Sequence, residues 1–307
     1  MIYFLLVIIG LFIMILGANV FVEGSSNIAK HLKIPSLLIG LTIVAFGTSA
    51  PEAAVSITST LQGHQMISIG NILGSNLFNL LMVLGFIAVI SPVYATSSML
   101  KRDMPFALLA SMMVLLFYFI LGKSINRVEG FILLCFFAIF LFIILNQKKN
   151  QPVLEEAPKK TLNISIVITL LGLSMIILGG VLTTNSAVNL AHHFKMTELF
   201  IGLTVVAIGT SLPELVTSVV AMYKKEKDIA LGNILGSNIF NIFFILGASS
   251  LIKPVYFSNE NVIDLMILLF VTVIVYVFMM TGFKIKKREG FILIFLYILF
   301  FSYILIR

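Results

Sequence analysis

Residues 70–79 read GNILGSNLFN and residues 232–241 read GNILGSNIFN, so that Gly70 to Asn76 returns unchanged as Gly232 to Asn238, 162 positions later. Working outward at the same offset, Gly47 to Glu52 (GTSAPE) returns as Gly209 to Glu214 (GTSLPE). Ile39 to Thr42 (IGLT) returns as Ile201 to Thr204, Asn79 as Asn241 and Pro92 as Pro254. At an offset of 160, Glu129 to Leu133 (EGFIL) returns as Glu289 to Leu293. Seven consecutive identities with matched Pro-Glu pairs exceed what shared helix-packing rules produce, so the chain reads as two copies of one unit.

The solvent of this fold follows from composition. Of 307 residues, 60% are apolar and 11% charged, against roughly 25% charged in an average soluble domain. With 27 Phe and a mean hydropathy of +1.12, the chain reads as an all-α polytopic membrane protein. Apolar segments of about twenty residues number ten: near 2–22, 36–61, 66–92, 104–122, 128–146, 162–190, 198–223, 228–252, 262–282 and 289–306. The first has no basic stretch before it and no clear cleavage site after it, so it reads as a retained span. Cys135 is the single cysteine, which excludes an internal disulfide and a zinc framework.

Of the 20 Lys and Arg, alternate connections hold 15 and the opposite side holds 5, and the net charge is +7. Such an excess marks cytoplasmic loops and not nucleic-acid binding, and an even number of spans then puts both termini outside. The polar stretch QKKNQPVLEEAPKK divides the spans five and five and reads as a solvated connector. The organisation is a first five-helix repeat over 1–146, a cytoplasmic linker over 147–161 and a second five-helix repeat over 162–307. Because five crossings are odd, the second copy enters the membrane upside down. Inverted repeats of this kind characterise secondary transporters, whose site lies near the midplane where the repeats meet.

Glu52 and Glu214 are the acids expected deep inside spans, and they are repeat mates. A carboxylate in lipid costs roughly 2.5–3.5 kcal/mol on insertion scales, and no Lys, Arg or His occupies the core of a span to pair with it, so two such acids call for a cation. Each follows a proline, Pro51 or Pro213, which cannot donate a backbone hydrogen bond, so the second and seventh helices are expected to break there. Carbonyls at the end of the first half-helix then face the gap. The glutamates sit in the first turn of the second half-helix, whose positive end favours an ionised carboxylate. Thr48, Ser49, Thr210 and Ser211 add hydroxyls at the breaks. Asn71, Ser75 and Asn79 are spaced i, i+4, i+8 along one stripe, as are Asn233, Ser237 and Asn241. Carboxylate, amide, hydroxyl and carbonyl oxygens without thiolate or imidazole suit hard cations such as Ca²⁺ and Na⁺.

At these residues the chain resembles the calcium/cation antiporter superfamily, and within it most closely a prokaryotic sodium/calcium exchanger. GTSAPE with GNILGSNLFN, and GTSLPE with GNILGSNIFN, are similar to that family's two α-repeats. The resemblance implies antiport of Ca²⁺ against Na⁺ through four adjacent sites between the second, third, seventh and eighth helices. Glu52 and Glu214 would be the shared carboxylates, while Thr48, Ser49, Ser75, Thr210, Ser211 and Ser237 would supply hydroxyl or carbonyl oxygens. Ala45 and Ala207 would contribute carbonyls at outer sodium sites, and Asn79 and Asn241 would flank the centre. The first and sixth helices, Ile2 to Leu32 and Asn163 to Phe194, would slide as a gating pair. The chain departs from the pattern at Asn241, where many members carry Asp; two acids still balance one Ca²⁺.

The expected substrates are therefore Ca²⁺ and Na⁺, with H⁺ as the alternative coupling ion, in a prokaryotic plasma membrane. Neither cofactor, nucleic acid nor obligate protein partner is expected. A cation channel would pass ions without a counter-ion. An enzyme would need a nucleophile and base or an open metal cage, which the spans do not offer.

Overall fold

A computed structural model describes residues 2–146, 157–196 and 207–306. Among these residues, eight helices are long and apolar enough to cross a membrane: Ile2–Leu32, Gln65–Ile90, Met99–Ile120, Arg127–Asn146, Leu162–His193, Lys227–Ile252, Asn259–Met280 and Lys287–Ile306. A ninth span results if Ser36–Thr48 and Ala50–Leu61, bent by 48° between them, are taken together. The protein is thus an all-helical integral membrane protein. Of the segment expected at 198–223, residues 197–206 lie outside the described part, and with them the repeated IGLT at 201–204. The remainder forms the short helices Ala207–Thr210 and Leu212–Tyr223. Residues 147–156 of the linker also lie outside the described part.

The first and sixth helices extend beyond their apolar segments, to 31 and 32 residues, close to the Ile2 to Leu32 and Asn163 to Phe194 expected of the pair. At about 1.5 Å per residue each exceeds the ~30 Å hydrocarbon core, so it tilts or emerges from the membrane. The end of the linker is not a free connector. Lys159 donates its backbone N–H to Asn27 Oδ1 (2.9 Å), and Lys160 Nζ pairs with Glu23 (2.8 Å), both on the first helix.

Contacts gather the chain into two compact units, each drawing on both halves of the sequence. One comprises Met1–Ala50, Asn150–Ile234 and Phe295–Arg307; the other comprises Pro51–Lys149 and Leu235–Ile294. The first unit is built on the antiparallel pair Ile2–Leu32 and Leu162–His193, which touch along glycines. A Cβ at Gly10 would lie 2.8 Å from the Gly179 carbonyl, and one at Gly172 would lie 2.8 Å from the Gly17 carbonyl and 2.5 Å from Phe21 N. Gly10 and Gly172 are repeat mates, as are Gly17 and Gly179, so one contact is used twice. Lipid supplies no hydrophobic drive between helices, and such close backbone approach through small residues is what holds spans together.

The second unit repeats the device with other mates. A Cβ at Gly85 would lie 3.0 Å from the Gly290 carbonyl, and one at Gly130 would lie 2.8 Å from the Gly247 carbonyl. Two short antiparallel strand pairs are also reciprocal: Val93–Tyr94 bonds Lys284–Ile285, and Ser124–Ile125 bonds Val255–Tyr256. An all-α expectation omits them because each is only two residues long. They satisfy backbone groups where the chain leaves one helix and enters the next. Rings fill the space between helices, among them Phe106 against Phe140 (5.1 Å) and Phe137 against Phe240 (5.7 Å).

The helices carrying the repeated GNILGSN are the most enclosed spans, with 78% and 94% of their apolar windows buried against 17–44% elsewhere. They face protein, which is where polar side chains in a membrane belong. Glycine use within them is uneven: a Cβ at Gly232 would lie 2.8 Å from the Leu37 carbonyl, whereas one at its mate Gly70 would meet no described atom beyond its own helix backbone within 4 Å. The residues equivalent to 37–41 are 199–203, outside the described part.

Candidate functional site

Both Pro-Glu motifs follow a local interruption. Helix Ala45–Thr48 stops at Ser49 (φ −83°, ψ 8°) before Ala50–Leu61 begins, and Ala207–Thr210 stops at Ser211 (φ −92°, ψ 2°) before Leu212–Tyr223. Both serines occupy the sparsely populated bridge region between helix and strand. The prolines two residues later lack the N–H that an unbroken helix needs, and their fixed φ suits a first helical turn. Glu52 and Glu214 consequently lie in first turns, and neither side chain is exposed.

Around each glutamate the same asparagine-serine clamp recurs. Asn71 Nδ2 donates to the Glu52 carbonyl (3.2 Å) and to Ser56 Oγ (2.9 Å). Its mate Asn233 Nδ2 donates to the Glu214 carbonyl (3.4 Å) and to Ser218 Oγ (3.0 Å). These asparagines fasten the backbone at each carboxylate. Ser56 and Ser218 went unnoticed in the sequence, although each stands four residues after its glutamate and 162 from the other.

The carboxylates carry hydroxyl partners. Within the first unit, Ser49 Oγ donates to Glu214 Oε1 (2.8 Å), and Thr48 Oγ1 donates to Asn233 Oδ1 (2.9 Å). Within the second, Ser75 Oγ donates to Glu52 Oε1 (3.4 Å) and accepts from Asn241 Nδ2 (3.2 Å). These hydroxyls fix the orientation of each carboxyl group.

The other expected positions vary in what they do. Ala45 is buried, and its carbonyl accepts from Ser49 N (3.0 Å). Ala207 opens the helix that ends at Thr210. Thr210, Ser211 and Ser237 are buried. Asn79 is fully buried, and neither atom of its amide has a hydrogen-bond partner among the described residues. Its mate Asn241 is engaged through Nδ2 only, leaving Oδ1 without a described partner.

Helical spacing alone does not place these two asparagines. Phe78–Val83 and Phe240–Leu246 are π-helical, so Asn79 and Asn241 stand in the first turn of a wider helix. The wider turn re-aims side chains and often accompanies functional positions. Buried acids are also more numerous than expected, since Asp103, Glu129 and Asp264 join Glu52 and Glu214. Asp103 is paired with Arg102 (2.5 Å), and Glu129 accepts the Asn126 N–H (2.6 Å) as a helix cap. Pairing and capping give Asp103 and Glu129 structural roles at helix ends, while Glu52 and Glu214 lie within the repeated hydroxyl and amide clusters.

Comparison with known proteins places the chain in a family. A family model described as sodium/calcium exchanger protein matches residues 2–146 and again residues 164–306. CaxA of Alkalimonas amylolytica is 42% identical over 257 residues, covering 81% of this chain and 80% of its own. The sodium/calcium exchanger MaX1 of Methanosarcina acetivorans is 31% identical, with 97% of both chains covered. A solved structure of the sodium-calcium exchanger NCX_Mj, soaked with Na⁺ and Sr²⁺, superposes with a TM-score of 0.87 at 29% identity over 98% of both chains. With both halves matched by the family model, the chain belongs to the sodium/calcium exchanger protein family.

Proposed function

We propose that the protein is a secondary antiporter that exchanges Ca²⁺ for Na⁺ by alternating access, with Glu52 and Glu214 as the ligands that carry the compensating charge. The observation that supports this most is the duplicated Pro-Glu interruption, in which each buried carboxylate has a serine hydroxyl donating to it. The resident donors are hydroxyls, amides and carbonyls, which bind hard cations and disfavour zinc or copper. Mg²⁺ sheds its water reluctantly, so Ca²⁺ is the better divalent substrate. Two carboxylates supply the charge that one Ca²⁺ needs, and sodium ions accept the same oxygens. Thr48, Ser49, Ser75, Thr210, Ser211, Ser237, Asn79, Asn241 and the carbonyls of Ala45 and Ala207 complete the proposed ligand set.

The fold is read as ten spans in two inverted repeats, 1–146 and 162–307. The seventh span takes in residues 198–223, and both termini face the exterior of a prokaryotic plasma membrane. The long glycine-seamed pair Ile2–Leu32 and Leu162–His193 is the moving element. Exchange follows if the loaded site changes its accessible side while the empty, doubly negative site does not.

Reconstitution into proteoliposomes tests the coupling ion. Sodium-loaded vesicles are expected to take up radiolabelled calcium, and vesicles loaded with potassium or with acid at matched membrane potential are not. Lowering pH on both sides should reduce sodium-driven uptake, because a proton on either glutamate removes a ligand and a charge. Uptake driven by internal acid without sodium would replace this reading with proton/calcium exchange.

A further inference from the structure

Asn76 belongs to the repeated motif, but no ligand role falls to it. It is fully buried, and its side chain is bonded at both ends. Asn76 Nδ2 donates to the backbone carbonyl of Asn238 (3.2 Å), while Asn76 Oδ1 accepts from Asn241 Nδ2 (2.9 Å). In return Asn238 Nδ2 donates to the Asn76 carbonyl (3.3 Å), so the two repeat mates clasp one another.

The direction of this network is fixed at both ends. A backbone carbonyl only accepts, so the Asn76 amide must present its NH₂ to Asn238 and its oxygen to Asn241. Asn241 must then offer a hydrogen to Asn76. On its other side Ser75 Oγ donates its one proton to Glu52 Oε1 (3.4 Å) and so accepts from Asn241 Nδ2 (3.2 Å). Both hydrogens of the Asn241 amide are therefore spent on Asn76 and Ser75, and the amide cannot rotate by half a turn without facing oxygen against oxygen. What remains is Asn241 Oδ1, buried and without a described partner.

We propose that Asn76 is a positioning residue that sets the orientation of the Asn241 amide, so that Asn241 presents its carbonyl oxygen and not its NH₂ to the transported cation. The proposal rests on the assignment of Asn241 to the ion site. It explains why a neutral amide serves at this position: the neighbours on both sides demand a donor, while a cation demands an oxygen. Asparagine supplies the two together.

Two measurements test it independently. In the full-length protein labelled with ¹⁵N at asparagine, the Asn241 NH₂ signal is identified by its loss in Asn241→Leu. Both of its protons are expected to exchange slowly with deuterated solvent, and Asn76→Ala should speed that exchange by at least about tenfold. Rapid exchange in the wild type, or no change in Asn76→Ala, overturns the proposal. In proteoliposomes, Asn76→Ala is expected to raise the half-saturating calcium concentration about tenfold, the size of one lost hydrogen bond at the site. In an Asn241→Ala background the same change should be less than about twofold, since the group it positions is gone. Asn238→Ala removes half of the clasp while leaving its backbone carbonyl for Asn76, and should shift half-saturation by less than about twofold. Equal effects of Asn76→Ala in both backgrounds would make Asn76 merely structural and refute the positioning role. Slow amide exchange in a protein without calcium flux would uphold the orientation while removing the exchanger function.

Discussion

Replacement of Glu214 by Gln, or of Glu52 by Gln, is expected to reduce sodium-driven calcium uptake by at least about a hundredfold. Glutamine keeps the shape and one oxygen but removes a full charge from a group that is buried with Ser49 or Ser75 donating to it. A desolvated divalent ion then faces one carboxylate in place of two. Breaking a buried, paired charge costs roughly 3–5 kcal/mol, which corresponds to about 10²- to 10⁴-fold in affinity. The protein itself should stay folded, because the Asn71 and Asn233 clamps bond the backbone of these residues and not their carboxylates. Thermal midpoints measured beside transport separate the two effects. Wild-type uptake by either variant would remove that glutamate from the site.

Gly172→Val should be the most damaging change outside the ligand set. A Cβ at Gly172 would stand 2.5 Å from Phe21 N and 2.8 Å from the Gly17 carbonyl, and neither is a side chain that can rotate away. The two long helices must separate locally, at a cost of about 1–3 kcal/mol, and the seam on which the proposed moving pair glides is lost. Uptake is expected to fall below about a tenth of wild type, with a lowered thermal midpoint. Gly180→Ala, eight residues along the same helix, is the control. There the nearest atom to an added Cβ is Pro213 Cγ at 3.4 Å, an ordinary contact, so near-normal uptake is expected.

Much of this arrangement was legible because it follows from single residues with strong local rules. Pro51 and Pro213 announce the interruptions that fall at Ser49 and Ser211, and the offset of 162 pairs Asn71 with Asn233 before either partner is known. The clamps onto Ser56 and Ser218 were not legible as such. A serine four residues after a glutamate is common, and its meaning appears only when the asparagine of the next helix reaches it.

The π-helical stretches Gly40–Val44, Phe78–Val83 and Phe240–Leu246 were equally hidden. An apolar run satisfies a 3.6-residue and a wider turn alike, and only tertiary packing chooses between them. Burial of Asp103 and Glu129 escaped for a related reason. Position relative to a span boundary does not reveal that an adjacent Arg102 or a helix-capping turn already engages the acid.

The central claim is obligatory exchange, and efflux under trans-stimulation tests it most directly. Proteoliposomes loaded with radiolabelled calcium are diluted into medium free of Na⁺ and Ca²⁺, and one or the other ion is then added outside. Because an empty site with two unbalanced carboxylates should not cross the membrane barrier, label is expected to stay inside until external Na⁺ or Ca²⁺ is supplied, and then to leave rapidly. Glu52→Gln and Glu214→Gln should show no stimulation. Rapid loss of label into ion-free medium, unchanged by external Na⁺ or Ca²⁺, would contradict exchange and identify a channel.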